Sequence, residues 1–435
     1  MRRSVATAFT AAVIAVSGIL PAGAASDRPL RVRYGTDVDS ILVPPGTHVL
    51  SYQASAGRDL VIRGQGSAET CILVAEEGRG IIEGGRLGSG RLEISDVTLT
   101  GGAGSTGTDG ALWGGAVYWG ASGGPTATVQ IQRCKFVENH IWGGPSQLGA
   151  YGGGVGLFNC GQVVIEQCTF ENNSTDATGS HLYASVSRNI EVTGCTFEWD
   201  SGDIGARGLI VINGAMTTTL RECSVTTNAK PLGLLAGIAI GSQHTVLRRC
   251  SLRDLDGSIG TTLLIEADLL TEVYASVEMS DCEVWVGGGV SGGESGLVEI
   301  DAVNMDLTLL KNTIVGTDLV VNAGRVRNGT VSHNVCAYGR TGIGGRGRVA
   351  LSCNVFWPAP PRVTADLDSM DNRVADPQFC GVEQGDLTVR SGGPCAIEGS
   401  PCGIIGALGV GCAQTAVLRS TWGAIKARFL PPSRE

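Results

Sequence analysis

One short pattern returns along most of this chain, and it restricts the fold more than any other feature. Val129-Gln-Ile-Gln-Arg-Cys134-Lys-Phe136 recurs as Val163-Val-Ile-Glu-Gln-Cys168-Thr-Phe170 and as Ile190-Glu-Val-Thr-Gly-Cys195-Thr-Phe197. Weaker copies surround Cys223, Cys250 and Cys282, so the cysteines are spaced by 27 to 34 residues. An earlier copy, Leu92 to Leu99, places Asp96 at the Cys position, and later copies carry Asn312, Asn334 and Asn354 there. Self-similarity at this period is the signature of a solenoid, in which each repeat buries its apolar face only against its neighbours.

Each repeat also holds a second apolar run, among them Gly154-Val-Gly-Leu-Phe158, Leu209-Ile-Val-Ile212 and Leu297-Val-Glu-Ile300. These runs are short, rich in β-branched residues and bounded by Gly, Asn and Ser, and no long stretch has helical period. Glycine, at 66 residues, falls between the runs and marks repeated tight corners. Two or three strands per repeat, stacked coil on coil, predict an all-β right-handed parallel β-helix. Its inward positions recur about 4.8 Å apart, so Cys stacks on Cys and Phe on Phe. About nine or ten coils give a rod of roughly 45 Å. A β-propeller needs blades of about 40 residues with four strands, and leucine-rich repeats need regular Leu spacing; neither is present.

The ends of the chain read differently. Arg2 and Arg3, the apolar run Val5 to Leu20, Pro21 and Ala22-Gly23-Ala24 have the order of a signal peptide over residues 1–24, with Ala25 as the mature start. No later run is long enough for an integral membrane span. The expected division is then 25–375 solenoid, 376–412 Cys-rich closing segment and 413–435 tail. With 32 basic and 41 acidic residues the chain is acidic, which argues against nucleic acid and anionic membrane as partners. Export makes disulfides possible among the 14 cysteines. The ladder from Cys134 to Cys282 has no CxxC spacing and reads as stacked core thiols. Cys380, Cys395, Cys402 and Cys412 crowd a Gly- and Pro-rich stretch and read as two bridges; of the three possible pairings, Cys380–Cys395 with Cys402–Cys412 is preferred. In the tail, Thr421 can cap a short helix that places Trp422, Ile425 and Phe429 on one face, stopped by Pro431-Pro432.

Phe136-Val-Glu-Asn139 and Phe170-Glu-Asn-Asn173, with Gly114-Gly-Ala-Val117 and Gly153-Gly-Val155, resemble the FxxN and GGA(I/V) repeats of polymorphic outer membrane proteins. More broadly, residues 30–412 resemble bacterial pectin-lyase-like β-helix proteins. Val43-Pro-Pro-Gly-Thr-His48 looks like their opening coil, and Ala375-Asp-Pro-Gln-Phe379 followed by Gly393-Pro-Cys395 looks like their closing segment. The resemblance implies the fold and leaves activity open, because this architecture hosts lyases, hydrolases and adhesins.

Tests for chemistry point away from catalysis. A polygalacturonase-like hydrolase needs opposed carboxyl groups with Gly-His-Gly and Arg-x-Lys motifs, and these are absent. His48, His140, His181, His244 and His333 share no motif and read as surface or turn residues. A lyase-like calcium site needs clustered Asp with a Lys or Arg base; the nearest candidates are Asp200, Asp203, Asp254 and Asp256, beside Arg207 and Lys230. Trp113, Tyr118, Trp119, Trp142 and Tyr151 gather in or beside two Gly-rich insertions, and loop aromatics are able to stack on sugar rings. The expected function is therefore a cell-surface or extracellular β-helix without a cofactor, binding polysaccharide or other surface glycans. A polysaccharide lyase or glycoside hydrolase and a purely structural rod are the alternatives.

Overall fold

The computed structural model describes residues 30–34, 38–54, 57–84, 90–106, 111–121, 124–143, 149–199, 208–227, 237–254, 261–266, 274–287 and 296–412. The signal-like residues 1–24 and the tail 413–435 lie outside them. The strands form a parallel β-helix: among the described residues one sheet has 21 strands and a second has 13. A coil runs along a first face, a second and then a third. Val117–Gly120, Ala127–Gln132 and Lys135–Val137 make one such coil, and Val155–Phe158, Cys160–Glu166 and Thr169–Glu171 stack beneath it in parallel. Further along, the first and second faces merge into continuous strands such as Ile210–Arg221 and Thr317–Ser332.

The strand period of two determines what lies inside. In Ala127–Gln132, Val129 and Ile131 are buried over Val163 and Ile165, while Thr128, Gln130 and Gln132 face outward. On the third face Phe136, Phe170 and Phe197 stack with ring centroids 4.8 and 4.7 Å apart and planes 10° off parallel. The 13 third-face strands exceed the nine or ten coils expected from the cysteine period. The reason is length: Asn312, Asn334, Asn354 and Asn372 follow one another at 22, 20 and 18 residues, so these coils are shorter than those that carry cysteine.

The corner between second and third faces is made by a single left-handed residue. Arg133, Gln167, Glu222, Arg249, Asp281, Lys311, His333, Cys353 and Asp371 all have φ between 52° and 58°. Non-glycine residues there cost about 1 kcal/mol each, a strain that stacked packing offsets. Asp96 is one of these corner residues at φ 59°, so Val97, not Asp96, occupies the ladder position. The stacking of corners is visible in the ion pair between the Arg133 guanidinium and Asp96 at 2.7 Å, which holds the Asp96 carboxyl below its usual range.

The residue after the corner points inward and reaches the carbonyl of the coil before. Cys168 Sγ lies 3.7 Å from the Ile131 carbonyl, Cys195 Sγ 3.6 Å from Ile165 and Cys223 Sγ 3.4 Å from Val192. Asn amides do the same with stronger bonds: Asn312 Nδ2 donates to Met279 O at 2.8 Å and Asn354 Nδ2 to Val331 O at 2.8 Å. All the ladder thiols are buried and free, as expected, and burial with flanking thiols pushes Cys168 well above its ordinary range. The Asn of both FxxN motifs form a second amide ladder: Asn139 Nδ2 donates to Asn173 Oδ1 at 2.8 Å, and Asn173 Nδ2 to Phe136 O at 2.8 Å.

The Cys-rich segment does more than close the end. It lies against the outer side of the third face, where Phe379, Leu387, Val389, Cys395 and Ile405 form a second core with Val315, Val335, Ala337 and Val355. Trp285 Nε1 donates to Val382 O at 3.0 Å, and Gly406 N to His333 O at 2.7 Å. The bridges are Cys380–Cys412 and Cys353–Cys402, which replaces the expected sequential pairing. Phe379–Gly381 and Val410–Cys412 both pair with Asp386–Arg390, and this carries Cys412 to Cys380. Cys395 is a buried thiol, pushed up to about 12 by burial. Cys353 precedes Asn354 at a corner, so in sequence it looks like part of a ladder rather than a bridge.

Candidate functional site

The first face carries an outward row that is apolar through its middle coils. Tyr118, Gly156, Tyr183, Val211 and Ala239 occupy equivalent positions in successive coils. Two turn insertions run over this row. Leu112–Trp113 pairs with Ala150–Tyr151, and the Trp113 ring enters the gap over Gly156. There it meets Tyr151 at 4.8 Å, Tyr183 at 5.5 Å, Phe158 at 5.6 Å and Tyr118 at 5.7 Å between centroids. Gly156 is required by this crossing: a Cβ there would lie 2.7 Å from Gly114 N.

The five aromatics expected to make a binding platform therefore separate into three roles. Trp119 is completely buried inside the solenoid, its indole N–H donating to Gly90 O at 3.3 Å. Gly84 on the next coil makes room, because a Cβ there would overlap the indole. Trp113 and Tyr118 are each 5% exposed within the aromatic cluster, so they pack. The open platform of three Trp faces is not formed, since both rings find apolar surface closer than any ligand. Tyr151 and Phe158 are half-buried at the cluster margin. Trp142 is 81% exposed. Its insertion is anchored by Ile141, buried beneath it, and by Gly143 N donating to Asp176 Oδ2 at 2.9 Å. A Cβ at Gly143 would lie 3.4 Å from the Ala150 Cβ, so the backbone beside Trp142 is close to strand Ala150–Tyr151. Tyr183 and Phe158 were not singled out from sequence; their signal is an aromatic at an outward strand position beside a Gly-rich turn.

Asp200, Asp203 and Asp256, with Arg207 and Lys230, lie outside the described residues. Asp254 is fully buried in an inward row with Trp199, Thr227 and Val286, because strand Ser251–Asp254 continues the alternation two residues past Leu252. Among the described residues one group of potential metal ligands gathers, Cys353, Asp371 and Cys402, and its two sulfurs are joined as a disulfide. His181 is likewise not a surface residue. It is fully buried, its Nδ1 accepts from Asn173 Nδ2 at 3.2 Å, and burial lowers its pKa to about 3. His48 is also buried, with Nε2 3.0 Å from Pro44 O.

A second surface feature is polar. On the second face Arg327, Thr330, Arg348, Asp366 and Asp368 line a shallow cleft of about 450 Å³. Arg327 is held by Asp306 and lies over the Tyr274 ring at 4.4 Å. Glu283, on the third face, is largely buried and its carboxyl is raised by desolvation, an effect opposed by Arg253 at 2.6 Å.

The fold is a parallel β-helix with an aromatic cluster on the outside of its first face. A family model described as right handed beta helix region matches residues 64–250 and 114–356, which together take in more than half of the chain. The chain belongs to that right-handed β-helix family. Among curated proteins none matches it. One similar solved structure is the catalytic unit of a thermostable GH87 alpha-1,3-glucanase from Streptomyces thermodiastaticus strain HF3-3. The identity is 16%, over 78% of this chain and 63% of that one, with a TM-score of 0.31. This chain thus spans less than two thirds of that catalytic unit. Among the described residues no helix is long and apolar enough to cross a membrane.

Proposed function

We propose that this protein is an exported, non-catalytic β-helix that binds carbohydrate through the aromatic margin of its first face. The observation that carries the reading is Trp142, 81% exposed between buried Ile141 and Gly143, whose N–H is held by Asp176. A large indole held in water by a rigid support costs hydration free energy that a stacked sugar ring removes. The basic start, the apolar run to Leu20 and the two disulfides support export. The burial of Asp254 takes one candidate calcium ligand out of reach of a polymer.

The test is binding and cleavage of a panel of neutral and uronate polysaccharides by the purified protein. Trp142→Ala is expected to weaken binding by about 1 kcal/mol, roughly fivefold, with no change in Tm. Trp119→Ala is expected to lower stability by about 3 kcal/mol, as for any large core aromatic. Shortening of any polymer would replace this reading with a lyase or hydrolase. Binding that is indifferent to Trp142 would move the site elsewhere.

A further inference from the structure

The two ends of the solenoid are finished differently. At the start, Arg31–Tyr34 lies antiparallel on Val38–Val43 and covers the edge of the first coil. At the other end, Arg362–Val363, Asp366–Met370 and Arg373–Val374 pair with the coil before, and among the described residues nothing pairs with their outer edges. The core rows run out into solvent there. Leu367, 48% exposed, continues the row of fully buried Val349, and Val374, 51% exposed, continues that of Phe356. The amide ladder stops at Asn372. An open parallel edge with apolar rows beneath it is a template for aggregation, and solenoids hold such ends with a capping element.

We propose that residues 413–435 fold back onto this open end and cap it. The sequence there has the complementary chemistry. Trp422, Ile425 and Phe429 share one helical face after Thr421, an apolar stripe that matches Leu367 and Val374. Arg419, Lys426, Arg428 and Arg434 oppose Asp366, Asp368 and Asp371, which are exposed around the end. The reach is sufficient. Cys412 is tied to Cys380 with Cα atoms 6.0 Å apart. Cys380 follows Val374 closely in the chain, so the segment starts within about 26 Å of Val374. Residues 413–420 span about 27 Å when extended.

Hydrogen exchange on the whole protein tests this. Amides of residues 366–374 are expected to be protected, and Phe429→Asp is expected to speed their exchange by about tenfold or more while leaving residues 129–170 unchanged. The pair Asp366→Lys with Asp368→Lys, which leaves the segment itself intact, is expected to do the same. Equal exchange in the parent protein and in Phe429→Asp would overturn the proposal. So would protection of 366–374 that rises with protein concentration, since a second copy would then be the cap.

Discussion

From Cys134 to Cys282 the inward corner of each coil carries a thiol; from Asn312 to Asn372 it carries an amide. Both reach the carbonyl of the preceding coil, but the amide also binds its neighbour: Asn334 Nδ2 donates to Asn354 Oδ1 at 3.0 Å and Asn312 Nδ2 to Asn334 Oδ1 at 2.9 Å. Other features change at the same boundary. Thiol coils leave the third face through long turns, such as 138–154 before Val155–Phe158, whereas Gly316 alone joins Thr313–Val315 to Thr317–Ser332. In the thiol half the third face is polar outside, with Lys135, Thr169, Glu171 and Glu198. In the amide half it is apolar on both sides and covered by the Cys-rich segment. The thiol half uses its turns to cover the first face and leaves the third to solvent as far as the Cys250 coil, since Trp285 of the Cys282 coil already lies under the Cys-rich segment. The amide half has compact coils, cross-linked by side-chain hydrogen bonds and clamped from outside.

The comparison can be broken most directly at the ladders. Asn334→Ala takes the side-chain acceptor from the Asn312 backbone and side-chain amides and a donor from the Leu309 carbonyl, and is expected to cost about 3 kcal/mol in denaturant unfolding. Cys195→Ala removes a small apolar group with a weak donor and is expected to cost about 1 kcal/mol. Equal losses would mean that amide and thiol rungs do the same work. Next in size, Cys402→Ala is expected to lower stability by about 2 kcal/mol. Hydrogen exchange should then rise in 376–412 and in Val335–Ala337 and Val355–Trp357, and leave the thiol coils as they were. If Thr169–Glu171 also opens, the two halves are one cooperative unit.

A pH slope belongs to the thiol half. The Asn173 amide requires Nδ1 of His181 to accept, and burial keeps the ring neutral down to about pH 3. A His pKa lowered on folding means that the unfolded chain binds the extra proton first. Stability should therefore fall as pH drops below about 6.5, by up to about 1.4 kcal/mol per pH unit, until the folded ring titrates near 3. Melting temperatures of the parent and of His181→Gln, followed from pH 7 to 4, measure it. Identical slopes would assign the pH dependence to other groups.

The fold was legible because a solenoid writes its inward rows into the sequence at a fixed interval. Val-x-Ile followed by Cys-x-Phe is the second face, the corner rung and the third face of one coil. The corner itself was not legible: a left-handed position occupied by Arg, Gln, Glu, Lys and His has no residue type in common, so Asp96 was aligned one place early. Short coils with Asn at the rung fell below the expected period, and the coil count was low for that reason.

The candidate site was legible as a composition and not as a geometry. Clustered aromatics in Gly-rich insertions were legible as a group, yet Trp119 lies inside the solenoid, Trp113 and Tyr118 pack on its outer face and Trp142 faces water. Alternation along Val117–Gly120 sends Trp119 inward and Tyr118 outward, and only the crossing of Leu112–Trp113 over the first face buries Trp113. The same holds for the bridges: nearness in sequence favoured Cys380 with Cys395, whereas strand pairing across the segment joins Cys380 to Cys412. Local periodicity determines the coil, because each repeat contacts its immediate neighbours. What covers the outside of the coils is decided by contacts between residues far apart in the chain, and these leave no period to read.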